Sequence, residues 1–448
     1  MRIRSLVAAA AITTVAAIPV AVDTASAAAP SDEIVALCES LYGETFGVPN
    51  SEPLGACQWD MALIGAGEES YASATGAGVK VGIIDSGVDV NHPDVAPNLD
   101  LDLSCSFIFD DTPTALPEEI GNGDCSNKAA VQDYSGHGTH VATTIAAPIN
   151  GVGIAGVAPE ATIVALKACT HEGYCFADSV AAALRYAGDQ RLDVVNLSLF
   201  ADPYLYYCKN DAEQRAILRE IESAARYAAR KGVVIVASAG NEMADLQHPT
   251  VDDISPDWPE GTAVEREVGN ECVVAPAELT EVLTVSATGP VGIPEYELLS
   301  ADYSSVGMSR VDVTAPGGDY FRATGMIQDA ILAGVPAESQ IFQGYDGLNG
   351  LYPGITVEDQ GATYVELNGT SLSSPHAAGV AALIVQRHPS WSAAAVRSAV
   401  RRTATPMECP VDWQPLNDGD GRARCYGSGG RTSFFGAGMV NALAAATS

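Results

Sequence analysis

The chain has 448 residues, 47% of them hydrophobic, which excludes disorder as the default and allows one large α/β domain or two smaller ones. Lys and Arg number 23 against 56 Asp and Glu, a formal charge of −33 that disfavours nucleic acid and anionic membranes as partners and suits solubility outside a cell. Ten cysteines, an even number, suggest disulfides in an exported chain.

At the front, Arg2 and Arg4 precede an apolar run from Leu6 to Val22 and then Ala25-Ser26-Ala27, the small-x-small form of a signal-peptidase site. Pro19 and Asp23 leave that run too short to span a bilayer comfortably, so residues 1–27 read as a signal peptide and the mature protein as secreted and extracellular. Residues 28–57 contain Pro30, Pro49 and Pro53 with weak periodicity and read as a short extension, followed by one domain over residues 58–448. Sequence does not fix the disulfide pairing; neighbour pairing is the simplest arrangement: Cys38–Cys57, Cys105–Cys125, Cys169–Cys175, Cys208–Cys272 and Cys409–Cys425. The rival use of Cys169-x-His171-x3-Cys175 is a metal site, though no fourth ligand stands nearby.

From residue 79 onward, short β-branched runs alternate with Ala-rich helical stretches, the pattern of βαβ units in a doubly wound α/β fold with a mostly parallel sheet and helices on both faces. In chain order the elements are a strand over Val79–Asp85, a helix over Gly138–Ala147, a strand over Ala161–Ala168 and a helix over Ala177–Ala187. A strand over Val194–Leu199 follows, then a helix over Ala212–Lys231 stopped by Gly232, and strands over Val233–Ala239 and Val282–Ala287. Two more helices run from near Ser371 to Arg387 and from Ser392 to Thr403. Residues 243–272, rich in Pro, Asp and Glu, and residues 320–363, rich in Gly, read as insertions on the surface.

Four polar residues fall at one edge of this sheet. Asp85 ends the apolar run Val81-Gly82-Ile83-Ile84, which puts a carboxylate at a strand's carboxyl end, with a turn before Gly87 as the plainer reading. His137 opens a helix where it can be held by a carboxylate and act as a base; His140, three residues on, is not separated from it by spacing alone. Ser371 stands just ahead of Pro375, which requires a helix to begin close by and puts the hydroxyl near unpaired N–H groups, a geometry shared with an ordinary Ser cap. Asn241 follows a strand and Gly240, where its amide can donate or simply turn the chain.

Three segments resemble those of the subtilisin-like serine proteases over roughly Gln58 to Ala444: Ile83-Ile84-Asp85-Ser86-Gly87, His137-Gly138-Thr139-His140-Val141-Ala142 and Gly369-Thr370-Ser371-Leu372-Ser373-Ser374-Pro375-His376. Their order, Asp then His then Ser, is that family's order. The resemblance implies a secreted serine endopeptidase acting on protein or peptide substrates through an acyl-enzyme on Ser371. His137 would be the general base, Asp85 would orient it and Asn241 would donate to the oxyanion; no cofactor is implied for the chemistry. Ser198, Leu199 and Gly240 would bind extended substrate by strand addition. Phe200, Leu372 and Thr143 depart from the family's usual Gly, Met and Gly without removing a catalytic group. Residues 28–57 are too few to build the inhibitory prodomain that the family usually carries. The resemblance also implies a structural calcium site to which Asp94 and Asn150 would contribute, against an ordinary turn at Asn150-Gly151. The competing functions are a catalytically silent secreted binding protein on this scaffold and an esterase or peptide ligase using the same acyl-enzyme.

Overall fold

Apolar runs too short for helices, with nearly every side chain buried, build the centre of the molecule. A computed structural model describes residues 32–291, 297–319, 330–339, 356–410 and 424–448; the expected signal peptide and parts of the 320–363 stretch lie outside the described residues. The strands are β1 Lys80–Asp85, β2 Cys105–Ser106, β3 Thr162–Lys167, β4 Val194–Leu197, β5 Tyr206–Cys208, β6 Val234–Ser238, β7 Val251–Asp252, β8 Arg266–Glu267 and β9 Cys272–Val274. They continue with β10 Val282–Val291, β11 Glu297–Ser300, β12 Val313–Pro316, β13 Ile331–Val335, β14 Thr356–Asp359 and β15 Ala362–Leu367. The main sheet has the order β11-β10-β6-β4-β1-β3-β2, with β12 also on β10. Its pairs are parallel except β10 with β11.

Strand side chains alternate between two cores. Val81 and Ile83 of β1 pack with Val141 and Ile145 of the helix His137–Ala146 and with Ala381 and Ile384 of the helix Thr370–Arg387. Ile84 of β1, with Val164 and Leu166 of β3, packs on the other face with Leu184 of the helix Ala177–Asp189 and Ile221 of the helix Ala212–Lys231. Each such side chain contributes about 1.5–3 kcal/mol of transfer free energy, so the sheet is held from both sides and its carboxyl edge is a rigid platform. The helix Ala212–Lys231 begins where the Asp211 carboxylate accepts from the N–H groups of Glu213 and Gln214, and ends at Gly232 with φ 105°.

All five disulfides join the neighbours expected from the sequence. The metal reading of Cys169 and Cys175 is overturned, because each thiol is consumed by the other.

The surface expectation for residues 320–363 needs correction in its described part. β13, β14 and β15 form an antiparallel sheet, and β13 and β15 are almost wholly buried. Their apolar residues Ile331, Ala333 and Tyr364 share a cluster with Cys38, Tyr42, Leu54 and Trp59 of the N-terminal segment and with Leu372. Trp59 Nε1 donates to Ala330 O at 2.8 Å, and Asp60 Oδ2 accepts from His376 Nε2 at 2.8 Å. The N-terminal segment and the small sheet thus complete each other's core, next to the helix that carries Ser371.

Candidate active site

β1 delivers Asp85 to the carboxyl edge of the sheet, where its side chain is only 2% exposed. Asp85 Oδ1 accepts from Ser86 N at 2.7 Å and from His137 Nδ1 at 2.8 Å. The chain leaves the strand through Gly87, φ 99°, where a Cβ would lie 2.3 Å from Val131 O; a Cβ on Gly138 would lie 2.1 Å from Gly87 O. These two glycines let the start of the His137–Ala146 helix close onto the end of β1.

That helix start rests on a residue the sequence reading passed over. The buried carboxylate of Asp133 accepts from Ser86 Oγ at 2.9 Å, Ser135 N at 3.0 Å and Gly136 N at 2.9 Å on one oxygen. Its other oxygen accepts from Thr139 N at 2.9 Å and Thr139 Oγ1 at 2.7 Å. Asp133 stands two, three and six residues ahead of the N–H groups it receives, so it secures the turn into the helix and its first turn without being the N-cap residue, which is Gly136. Burial pulls the His137 imidazole down, but the charge and hydrogen bond of Asp85, joined by the charge of Asp133, outweigh it and leave the pKa above the ordinary 6.5. The His137 side chain remains 28% exposed, on the cleft.

His140 has a different fate. It is fully buried, and its Nε2 lies 3.1 Å from Ile331 O and 3.2 Å from Val365 O. Burial lowers its pKa to about 3, so the ring stays neutral and donates to the small sheet. It ties β13 and β15 to the helix, and it does not line the cleft.

Behind Asp85 lies a second feature absent from the sequence reading. Lys167, opposite Asp85 in the β1–β3 register, is fully buried and pairs with buried Glu119 at 2.9 Å. Its ammonium also donates to the carbonyls of Ser86 and Gln132. An apolar strand ending in Lys was the available signal.

Ser371 occupies the first turn of the helix Thr370–Arg387 and faces the same cleft as His137. Pro375 lies further inside that helix than expected, as its sixth residue. Lacking an N–H, it leaves the Ser371 carbonyl without the usual helical donor. Ser198 Oγ donates to that carbonyl at 2.6 Å, contacts Ser374 Oγ at 2.8 Å and accepts from Asn196 Nδ2 at 2.8 Å. The Ser198 side chain therefore holds the helix, and the part of Ser198 left for the expected strand addition is its backbone. Asn196 belongs to a formal glycosylation sequon, but it is fully buried and bonded, so it cannot carry a glycan.

Asn241 follows β6 through Gly240, φ 108°. Asn241 Oδ1 accepts from Thr370 N at 2.9 Å and Thr370 Oγ1 at 2.8 Å, so Nδ2 is the end of the amide left as a donor in the cleft. Thr370, fully buried, was not read from sequence. The cleft has a volume of about 350 Å³, and Leu199, Phe200 and Gly240 also line it.

The expected calcium ligands do not fit a cation. Asp94 is fully buried, and its oxygens accept from Asn150 Nδ2 at 3.2 Å, Ile154 N at 3.3 Å and Tyr364 OH at 2.7 Å. Asn150 Oδ1 accepts from Val152 N at 2.8 Å, which fixes the amide with its nitrogen toward Asp94. Donors therefore converge where a hard cation requires lone pairs. Burial raises Asp94 to about 7. Among the described residues, no group of three or more His, Cys, Asp or Glu could hold a metal.

The sequence model of the subtilase family matches residues 76–438. Subtilisin BL of Lederbergia lenta is 28% identical over 387 residues, 86% of this chain and 97% of the relative. Subtilisin E of Bacillus subtilis (strain 168) is 28% identical over 372 residues, 83% of this chain and 66% of the relative. Among solved structures, fervidolysin from Fervidobacterium pennivorans, a keratinolytic enzyme related to subtilisin, aligns with a TM-score of 0.58 at 26% identity, over 90% of this chain and 47% of that one. The epidermin leader peptide processing serine protease of Staphylococcus aureus is alike in fold, with a TM-score of 0.60 at 22% identity over 88% of this chain and 81% of that one.

Proposed function

The chain belongs to the subtilase family and is a serine endopeptidase, and on that premise we propose that it hydrolyses peptide bonds outside the cell through an acyl-enzyme on Ser371. The observation that carries this reading is the 2.8 Å bond between Asp85 and His137 on a cleft that Ser371 and Asn241 also line.

In the proposed reaction Ser371 Oγ attacks the scissile carbonyl as His137 Nε2 takes its proton. Asp85 holds the ring through Nδ1 and stabilises the imidazolium. The tetrahedral oxygen accepts from Asn241 Nδ2 and the Ser371 backbone N–H at the positive end of its helix. His137 then protonates the leaving amine, and water attacks the acyl-enzyme by the reverse sequence of proton transfers. The substrate backbone pairs with the Ser198–Leu199 segment and with Gly240, as an added strand. Residues 58–448 form one peptidase domain in this reading, with residues 28–57 as an extension. Export is supported by Arg2, Arg4 and the apolar run that follows, and by the five disulfides.

A fluorophosphonate should label Ser371, and Ser371→Ala should lower kcat on casein by about 10⁴-fold or more. Labelling of another residue, or hydrolysis undiminished in Ser371→Ala, would overturn the assignment. Hydrolysis of casein by the parent also separates this reading from a silent binding protein, and product analysis with added amines separates it from a ligase.

A further inference from the structure

Besides Asp85, the cleft is lined by Glu172, Asp202, Glu242 and Asp257, and by no Lys or Arg among the described residues. The chain is acidic throughout, but solubilising carboxylates sit in water, and most of these do not. Asp202 is 4% exposed, and Glu242 and Asp257 are half-buried. The Asp202 carboxyl is fixed because Cys175 N donates to it. It also faces the carboxyl of Asp257, and burial, a hydrogen bond between the two carboxyls and the charge of that neighbour push Asp202 well above the carboxylate range. Asp257 Oδ1 is buried, and no amide, hydroxyl or cationic side chain donates to it. Two carboxyls turned toward each other without a cation are an arrangement that a charged ligand improves.

The walls suit the rest of such a ligand. Tyr174 lines the cleft and is braced from behind by Phe176, ring centroids 5.9 Å apart, and edge-on by Trp258 at 5.4 Å, which fixes one aromatic surface beside the carboxyls. The methylene stem of a long cationic side chain can lie on such a surface while its head reaches the acids. Glu242 directly follows Asn241, beside the place of the scissile carbonyl, and Asp202 stands just past the Ser198–Leu199 edge.

We infer that the cleft selects peptides carrying Arg or Lys on the acyl side of the scissile bond, with the carboxyls of Glu242, Asp202 and Asp257 receiving the cation. This rests on the reading of the cleft as the peptidase site. A guanidinium brings several donors in a fixed fork, so it can bridge Asp202 and Asp257 in place of the hydrogen bond between the two carboxyls.

The test walks one Arg through the residues before the scissile bond of an otherwise neutral peptide, each matched by a peptide with citrulline, which keeps the shape without the charge. We expect kcat/KM to favour Arg by about 10²-fold at one position or more. The preference should shrink as NaCl rises between about 0.05 and 0.5 M. Glu242→Gln or Asp257→Asn should lower the Arg-to-citrulline ratio about tenfold, a ratio measured within one variant and therefore insensitive to its folded fraction. If Arg and citrulline peptides are cleaved equally at every position, the charge selection is wrong while the peptidase reading stands. If no peptide is cleaved and Ser371 takes no fluorophosphonate, both fail.

Discussion

Two helices start at the same edge of the sheet, His137–Ala146 and Thr370–Arg387, and each presents a proposed catalytic side chain in its first turn, but they are held by opposite chemistry. At His137 the N–H groups and hydroxyls converge on a buried carboxylate, Asp133. At Ser371 the supports are neutral: the Asn241 amide, the Thr370 hydroxyl and the Ser198 hydroxyl. The difference follows from the charge that each site must carry. In the proposed reaction His137 becomes a cation and gains from a fixed negative neighbour. The carbonyl attacked by Ser371 becomes an anion, which a carboxylate at that helix start would oppose.

The neutral side should break most visibly at its exposed donor. Asn241→Ala is expected to lower kcat by about 10²- to 10³-fold with KM nearly unchanged, because its hydrogen bond forms chiefly in the transition state. A change confined to KM would remove Asn241 from that role.

Next in size is the charged side. Asp133→Asn puts donors where Thr139 N and Oγ1 already donate, and should cost about 2–3 kcal/mol in urea unfolding. It should also move the acid limb of kcat/KM. Burial lowers the His137 pKa while Asp85 and Asp133 raise it, so the parent's limb lies above the ordinary 6.5 and rises with pH as the imidazole loses its proton. With one of those charges removed, the limb shifts to lower pH. An unmoved limb would show that His137 does not feel Asp133.

The smallest effect tests the support of Ser371 itself. Ser198→Ala leaves the Ser371 carbonyl without its donor and should lower stability by about 1 kcal/mol and kcat by about tenfold. Adding Pro375→Ala supplies a backbone N–H four residues on and should recover part of both. If the double variant is no better than Ser198→Ala, the hydroxyl does not act through that carbonyl.

What could be read in the sequence was local. β1 ends at Asp85 as expected, and the helix Ala212–Lys231 has the expected bounds, since apolar periodicity and a stop at Gly232 are written within a few residues. The placement of Asp85, Ser371 and Asn241 at element ends facing one cleft was legible because each is a polar residue beside an apolar run. Spacing alone did not separate His137 from His140, and the resemblance did; the burial of His140 away from the cleft depends on Ile331 O and Val365 O, 191 and 225 residues from it in the chain. Thr370 and Ser198 were missed as supports for the same reason: hydroxyls gain their meaning from partners distant in sequence. The loop beside Asp94 was correctly placed near that residue, but spacing did not tell whether its groups would offer lone pairs or hydrogens. The small sheet escaped notice because its strands bury themselves against partners far away in the chain, the N-terminal segment and the helix that carries His140.

An endopeptidase is exposed to other copies of itself, and its loops are potential substrates. The Cys208–Cys272 bridge joins residues 64 apart and encloses the helix Ala212–Lys231, β6, Asn241 and the exposed Val251 and Val264. A backbone cut beside Val251 or Val264 would leave both halves tethered through the bridge and Asn241 still joined to β6. Nicking and loss of a fragment are then separate events, and a chain nicked there keeps its full mass until a reductant opens the bridge.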